Sequence, residues 1–484
     1  MSLQGARQVV LGFHGFHRQR SVVLEASAAP LSSDGGLLVV REFDERIGLT
    51  ARFAAALEDT RDPAWTRQSV LSMVRQRIYG VLADYEDQND HDELRSDPVF
   101  KLIADRLPNG PDLASQPTLS RFENAVTIAD LWRLRDVLME QFLDGFATPP
   151  PRITLDIDAF DDPTHGQQQL TFFHGYYEQY QYLPIAFTCA ETDQVALIGL
   201  RHGTAHPALG TDDDLRFVVT RIRERWPDVE IVVRGDSGYG LPAMYNVCEE
   251  LRVTYTFGLG MNARLQRESA ELLAQAVQQY AATGQKQRLF LQLSYQAQTW
   301  PAPREVIVKC EAHAQGTNRR AIVSNRAGAT LLPGATYDEY AQRGESENRN
   351  KELKRGLCAD RLSDHRFLAN FFRLYLHAAA LNLLTRLRRA ITKAPTPPSL
   401  GIADPLPAEA LPEHSRKRFF NRRRQHDPLG EGQPGTWRSR LIKVAAEIVT
   451  SSRRVLVRLS ASWPHLADLF RIGTLVTTPA RDTG

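Results

Sequence analysis

Residues 229–236 read VEIVVRGD. A largely apolar run that closes on Gly-Asp predicts a buried parallel strand with an acid at its carboxyl end. Open α/β sheets place their ligand chemistry at such strand ends, where Asp236 stands. Upstream, ITLDID (153–158) alternates apolar and polar residues, so Asp156 and Asp158 share one face of a second strand. YYEQYQYLPIAFTC (176–189) and VALIGLRHG (195–203) read as antiparallel strands between the two, and TDDDLRFVVTRIRERW (211–226) as an amphipathic helix. A helix (238–251) and a strand, VTYTFGLG (253–260), follow.

Three strands followed by βαβα is the ribonuclease-H-like plan, so the expected fold class is α/β, with a ribonuclease-H-like catalytic core flanked by helical N- and C-terminal regions. Residues 1–150 are expected to be mainly helical, up to the proline cluster TPPPR. Residues 151–261 and 336–390 form the core. Between them, 262–335 carries a helix (264–283) and three alternating strands, which predicts a separable β-rich insertion. Residues 391–435 are Pro- and Ala-rich with a basic stretch and read as a linker. Residues 436–484 are expected to be a C-terminal helical region.

The catalytic signal lies in YAQRGESENRNKELK (340–354). As a single helix at about 100° per residue, it gathers Tyr340, Arg343, Glu347 and Lys354 within roughly 60°. A carboxylate between two cations and a phenol suits a metal-dependent phosphodiesterase: the acid holds a divalent cation and the cations hold phosphates. A solvated helix face of alternating charge has the same pattern. Together with Glu347, acids on two adjacent strands, Asp236 and either Asp158 or Asp156, can hold two Mg²⁺ ions.

These segments carry a resemblance. Tyr-x2-Arg-x3-Glu-x6-Lys, present as Tyr340, Arg343, Glu347 and Lys354, is a motif of DDE transposases of bacterial insertion sequences, in the clan named after insertion sequence four. LDIDAFDDPTHGQQ, FFHGYYEQYQYLP and VVRGDSGYG together resemble its thirteen-eighty group. The resemblance implies a DNA transposase acting by cut-and-paste. It would bind paired inverted-repeat ends as a homodimer, cut them with Mg²⁺ (Mn²⁺ as a substitute) and join the 3′ ends to target DNA. It implies Asp158, Asp236 and Glu347 as catalytic metal ligands, with Asp156 the alternative first acid, and Tyr340, Arg343 and Lys354 as phosphate contacts. Phe160 stands where the group often has Thr.

The bulk properties fit. The chain has 484 residues, too many for one core, and a net charge of +2 unevenly spread. Residues 84–93 hold six acids and no Lys or Arg, whereas RKRFFNRRR (416–424) holds six bases. Arg416, Lys417, Arg418, Arg422, Arg423 and Arg424 are candidate DNA-phosphate contacts, with a solvated charge run as the plainer reading. Four scattered cysteines form no CxxC, which argues against a zinc knuckle or disulfide framework. No apolar run approaches a membrane span and no signal peptide is recognisable, so the expectation is a cytoplasmic, nucleoid-associated prokaryotic protein without a membrane partner. Two rival readings remain: an Mg²⁺-dependent nuclease without strand transfer, and a non-catalytic DNA-binding protein derived from a transposase.

Overall fold

The computed structural model describes residues 11–13, 22–24, 29–392 and 432–477. Three short strands come first: β1 (Leu11–Phe13), β2 (Val22–Leu24) and β3 (Leu31–Ser32). Seven helices follow: α1 (Leu37–Ile47), α2 (Leu49–Ala55), α3 (Val70–Leu82), α4 (His91–Leu94), α5 (Pro98–Ile103), α6 (Gln116–Asn124) and α7 (Ile128–Leu143). Their ends follow local chemistry. Ser69 caps α3, Asp97 accepts the first amides of α5, and Thr127 with Asp130 forms a capping box on α7.

The remaining strands are β4 (Arg152–Ala159), β5 (Asp162–Pro163), β6 (Phe172–His174), β7 (Gln179–Tyr182), β8 (Ile185–Cys189), β9 (Val195–Gly199), β10 (Glu230–Gly235), β11 (Thr254–Leu259), β12 (Gln287–Tyr295), β13 (Arg304–His313) and β14 (Gly316–Ser324). Eight of them make one mixed sheet in the order β12-β13-β14-β11-β10-β4-β8-β9. At its centre β10 runs parallel to both β4 and β11, and the flanking pairs are antiparallel. Side chains alternate across it. Ile153, Leu155, Ile157, Ile231 and Val233 enter a core built with α7, α8 (Thr211–Arg225) and α9 (Pro242–Glu250). The intervening residues Asp156, Asp158 and Arg234 face the other way.

The strands of the expected β-rich insertion do not form a sheet of their own. β14 pairs with β11 from Thr256↔Ser324 to Leu259↔Ala321, so β12–β14 extend the central sheet. The helix expected over 264–283 is two, α10 (Ala263–Glu268) and α11 (Ala270–Thr283). The helix expected over 340–354 is also broken. It comprises the end of α12 (Pro333–Ala341), α13 (Gly344–Lys351) and a π turn (Glu352–Gly356). At the junction Arg343 N donates to Tyr340 O (3.0 Å) and Ser346 N to Arg343 O (2.8 Å), i→i−3 bonds that tighten the turn.

α14 (Phe367–Thr392) is long and apolar enough to cross a membrane by length and composition, but 83% of its apolar window is buried. Asn382 of α14 bonds both backbone groups of Val195 (2.8 Å each) on edge strand β9, tying the sheet to the helical layer. The expected C-terminal helix is instead a hairpin, β15 (Ala446–Thr450) and β16 (Val455–Leu459), with β15 paired to β3, followed by a helix at Leu466–Thr477. Alternating Val455, Val457 and Leu459 suit a strand once a pairing edge exists. The four cysteines are free and buried.

Candidate active site

β4 and β10 lie in register with Asp156 opposite Arg234. Both side chains are buried, and Arg234 grips Asp156 through Nε (2.6 Å) and Nη2 (2.8 Å). Its remaining nitrogen, Nη1, donates to the Glu339 carbonyl on α12 (2.6 Å). Asp156 is thus engaged in holding α12 over the sheet. Asp158, two residues on, stands free of that pair. Asn350 Nδ2 donates to it (3.0 Å) and Arg343 Nη1 lies 3.7 Å away.

Asp236 follows β10 and caps a 3₁₀ turn (Ser237–Tyr239), accepting from Gly238 N at 2.8 Å. Glycine at 258 makes that turn possible. A Cβ there would lie 2.7 Å from Ser237 N, 2.8 Å from the Tyr340 hydroxyl and 3.0 Å from Asp236 C. Glu347 on α13 is half exposed, and Arg343 Nη2 donates to it at 3.4 Å. Arg343 therefore stands between Asp158 and Glu347. The Asp158 carboxyl is raised to about 7, chiefly by burial, with Arg343 opposing the rise and Asp236 and Glu347 adding to it. Asp236 and Glu347 thus each lie within electrostatic range of Asp158.

Such a cluster fits a divalent cation. Its donors are carboxylate oxygens, the hard ligands that Mg²⁺ and Mn²⁺ take, and their mutual repulsion is what a cation relieves. Among the described residues, the group whose donor atoms already lie within 4.8 Å of one another is Asp84, Glu86 and Cys358, not the three acids above. There, however, Arg438 (2.7 Å) and Arg361 (2.6 Å) already neutralise Asp84 and Glu86.

The other expected residues are placed as follows. Tyr340 packs beside Tyr337, and burial raises its phenol. Lys354 lies in the π turn and pairs with Asp161 at 2.6 Å. Arg416, Lys417, Arg418, Arg422, Arg423 and Arg424 lie outside the described residues. The sequence reading passed over Asn350, Arg234 and Asp161. Of these Asn350 had a readable signal, the i+3 spacing from Glu347 along one helix.

Residues 15–397 match a family model described as transposase DDE domain, group 1. No curated protein matches the chain. Among solved structures, the chain is similar to a piggyBac transposase in a synaptic complex with hairpin DNA determined by cryo-electron microscopy. Identity is 13%, covering 95% of this chain and 90% of that one, with a TM-score of 0.39.

Proposed function

The chain belongs to the transposase DDE domain group 1 family, and from that premise we propose a cut-and-paste DNA transposase whose catalytic acids are Asp158, Asp236 and Glu347. The observation that supports the assignment is Arg343, which lies 3.7 Å from Asp158 and 3.4 Å from Glu347 and within the field of Asp236. The core is read as ribonuclease-H-like, and the chain as a thirteen-eighty-group member of the insertion-sequence-four clan.

Asp158, Asp236 and Glu347 would hold Mg²⁺ or Mn²⁺, which when bound polarises a water and steadies the leaving 3′ oxygen. The side chains around them orient the DNA. Arg343 can grip two phosphate oxygens at once, whereas Lys354 offers a point charge. In hydrolysis water adds to phosphorus, the P–O3′ bond breaks and a 3′ hydroxyl is freed. In joining, that hydroxyl attacks a target phosphodiester and releases the target's own 3′ oxygen. Asn350 orients the Asp158 carboxyl through its amide. The partners are inverted-repeat ends, target DNA and a second copy in the paired-end complex, in the cytoplasm at the nucleoid. The basic stretch 416–424 is proposed to contact phosphates without reading bases.

Incubating the chain with Mg²⁺ and the DNA ends that flank its gene tests this reading. Nicking at the repeat boundary followed by strand transfer supports it. Nicking without transfer would favour a nuclease, and binding without either a non-catalytic DNA-binding protein.

A further inference from the structure

A small sheet, β5-β7-β6, stands between β4 and β8 and carries aromatics that the fold leaves uncovered. Tyr176 is 84% exposed, Tyr180 57% and Phe173 51%, with Phe172 and Leu170 also exposed. Their rings meet edge to face: Phe173 with Tyr180 (5.6 Å) and Tyr176 with Tyr177 (5.0 Å). The surface is anchored beside the acids. Asp161, three residues past Asp158, accepts from Gln179 of β7 (3.2 Å) while holding Lys354. The Tyr177 phenol, raised chiefly by burial, also feels Asp161, Asp158 and Asp236.

Composition narrows the occupant. Residues 164–182 contain no Lys or Arg and a single acid, Glu178, but five glutamines and six Phe or Tyr. Such a strip brings no fixed cation to a phosphate, whereas the neighbouring Arg343 and Lys354 do. Exposed ring faces need flat apolar partners. Inside a duplex the base faces are stacked on one another, so only an unpaired nucleotide can offer one. We propose that the hairpin from Phe172 to Tyr182 is a stacking platform for unpaired nucleotides next to the phosphate being cut, with Tyr176 and Phe173 as its principal rings. The proposal rests on the transposase reading and specifies the form of DNA that its site accepts.

The test compares a blunt duplex with the same duplex bearing a short single-stranded dT overhang that contains 2-aminopurine. The full chain is used, with Ca²⁺ to suppress cutting. The parent is expected to prefer the overhang by about tenfold and to change the 2-aminopurine emission on binding. Tyr176→Leu and Phe173→Leu, which keep apolar bulk but lose the ring face, should lose the preference and the emission change while binding blunt duplex unchanged. Tyr176→Trp should keep both. Equal affinity of the parent for the two duplexes, or leucine variants that retain the preference, overturns the platform. So does a change in the oligomeric state of the DNA-free leucine variants, which would make the patch an interface between copies of the chain. Cutting and joining by the parent in Mg²⁺ are scored separately. If these occur without the overhang preference, this inference alone fails, whereas their absence defeats the transposase reading as well.

Discussion

Asp156 and Asp158 show how two identical side chains two positions apart take different tasks. The strand pairing sets Asp156 against Arg234 in the interior, while Asp158 reaches the open end of the strand. Asp156→Asn is expected to destabilise the fold by roughly 3–5 kcal/mol, because it leaves Arg234 buried without its counter-charge. Asp158→Asn removes a carboxylate crowded by Asp236 and Glu347, so its melting temperature should equal or exceed the parent's. Its cutting should nevertheless fall by roughly 10³-fold or more. Thermal denaturation and end cleavage on both variants check this, and the reverse pattern would transfer the catalytic role to Asp156. Lys354 must leave Asp161 to reach a phosphate. Lys354→Ala should therefore weaken end binding and lower its salt slope by about 0.9. Asp161→Asn should tighten binding by about 2- to 5-fold, and only where Lys354 is present. Titrations at several salt concentrations on the single and double variants decide the point.

At the scale of elements, the β11 strand and the 3₁₀ turn of Asp236 touch at Gly258. Gly258→Ala would drive a methyl into Ser237 N and the Tyr340 hydroxyl. It should shift the Asp236 turn, with both cutting and melting temperature reduced. An alanine variant that cuts like the parent would show that the turn can move without cost. At α14 a pH dependence is expected from His377. Its Nδ1 lies 2.8 Å from the Arg373 carbonyl, and its Nε2 is buried without a partner. Burial holds this imidazole down to about 4, with Arg77 and Arg373 adding to the effect. His91 is likewise held well below its usual range, with Gln76 and Arg77 nitrogens on its two ring nitrogens. Between pH 6.5 and about 4 the unfolded chain takes up a proton at His377 that the folded chain refuses. The stability linked to His377 is therefore present above 6.5 and lost on acidification, by about 1.4 kcal/mol per pH unit, and His91 acts in the same direction. Buried Asp162, whose carboxyl is raised, titrates in the opposite sense. The measurement is therefore the difference between parent and His377→Gln in urea midpoints at pH 7.5 and 5. The variant should lose less on acidification, and parallel losses would refute the assignment.

At the scale of the whole molecule, the eight-stranded sheet binds the segment 287–324 to the catalytic strands. Excising it would strip β11 of its neighbour and expose the edge next to the Asp236 turn. A chain lacking these residues should aggregate or lose cooperative unfolding. A soluble, folded core of unchanged helicity would instead establish an independent unit. α14 carries the other long-range tie, since Asn382 caps β9 while Arg388 pairs with Glu352 just after α13.

The sequence alone determined the elements whose signal is local. These include the alternation that sets Asp156 and Asp158 on one face, the apolar run ending at Asp236, and the mainly helical stretch before residue 143. Each depends on the two- or 3.6-residue period of a chain against one apolar surface, which neighbours in sequence already record. Tertiary structure decided the rest. An alternating strand reads the same in a separate sheet and at the flank of a central one, so β12–β14 were assigned to a separate unit until β11 supplied their edge. Val455–Leu459 became a strand because β15 pairs with it and β15 in turn pairs with Ser32, far away in the chain. The strand register likewise decided which of Asp156 and Asp158 pairs with the buried Arg234. Such outcomes depend on partners distant in sequence, where backbone pairing and charge neutralisation in a dry interior outweigh local preference.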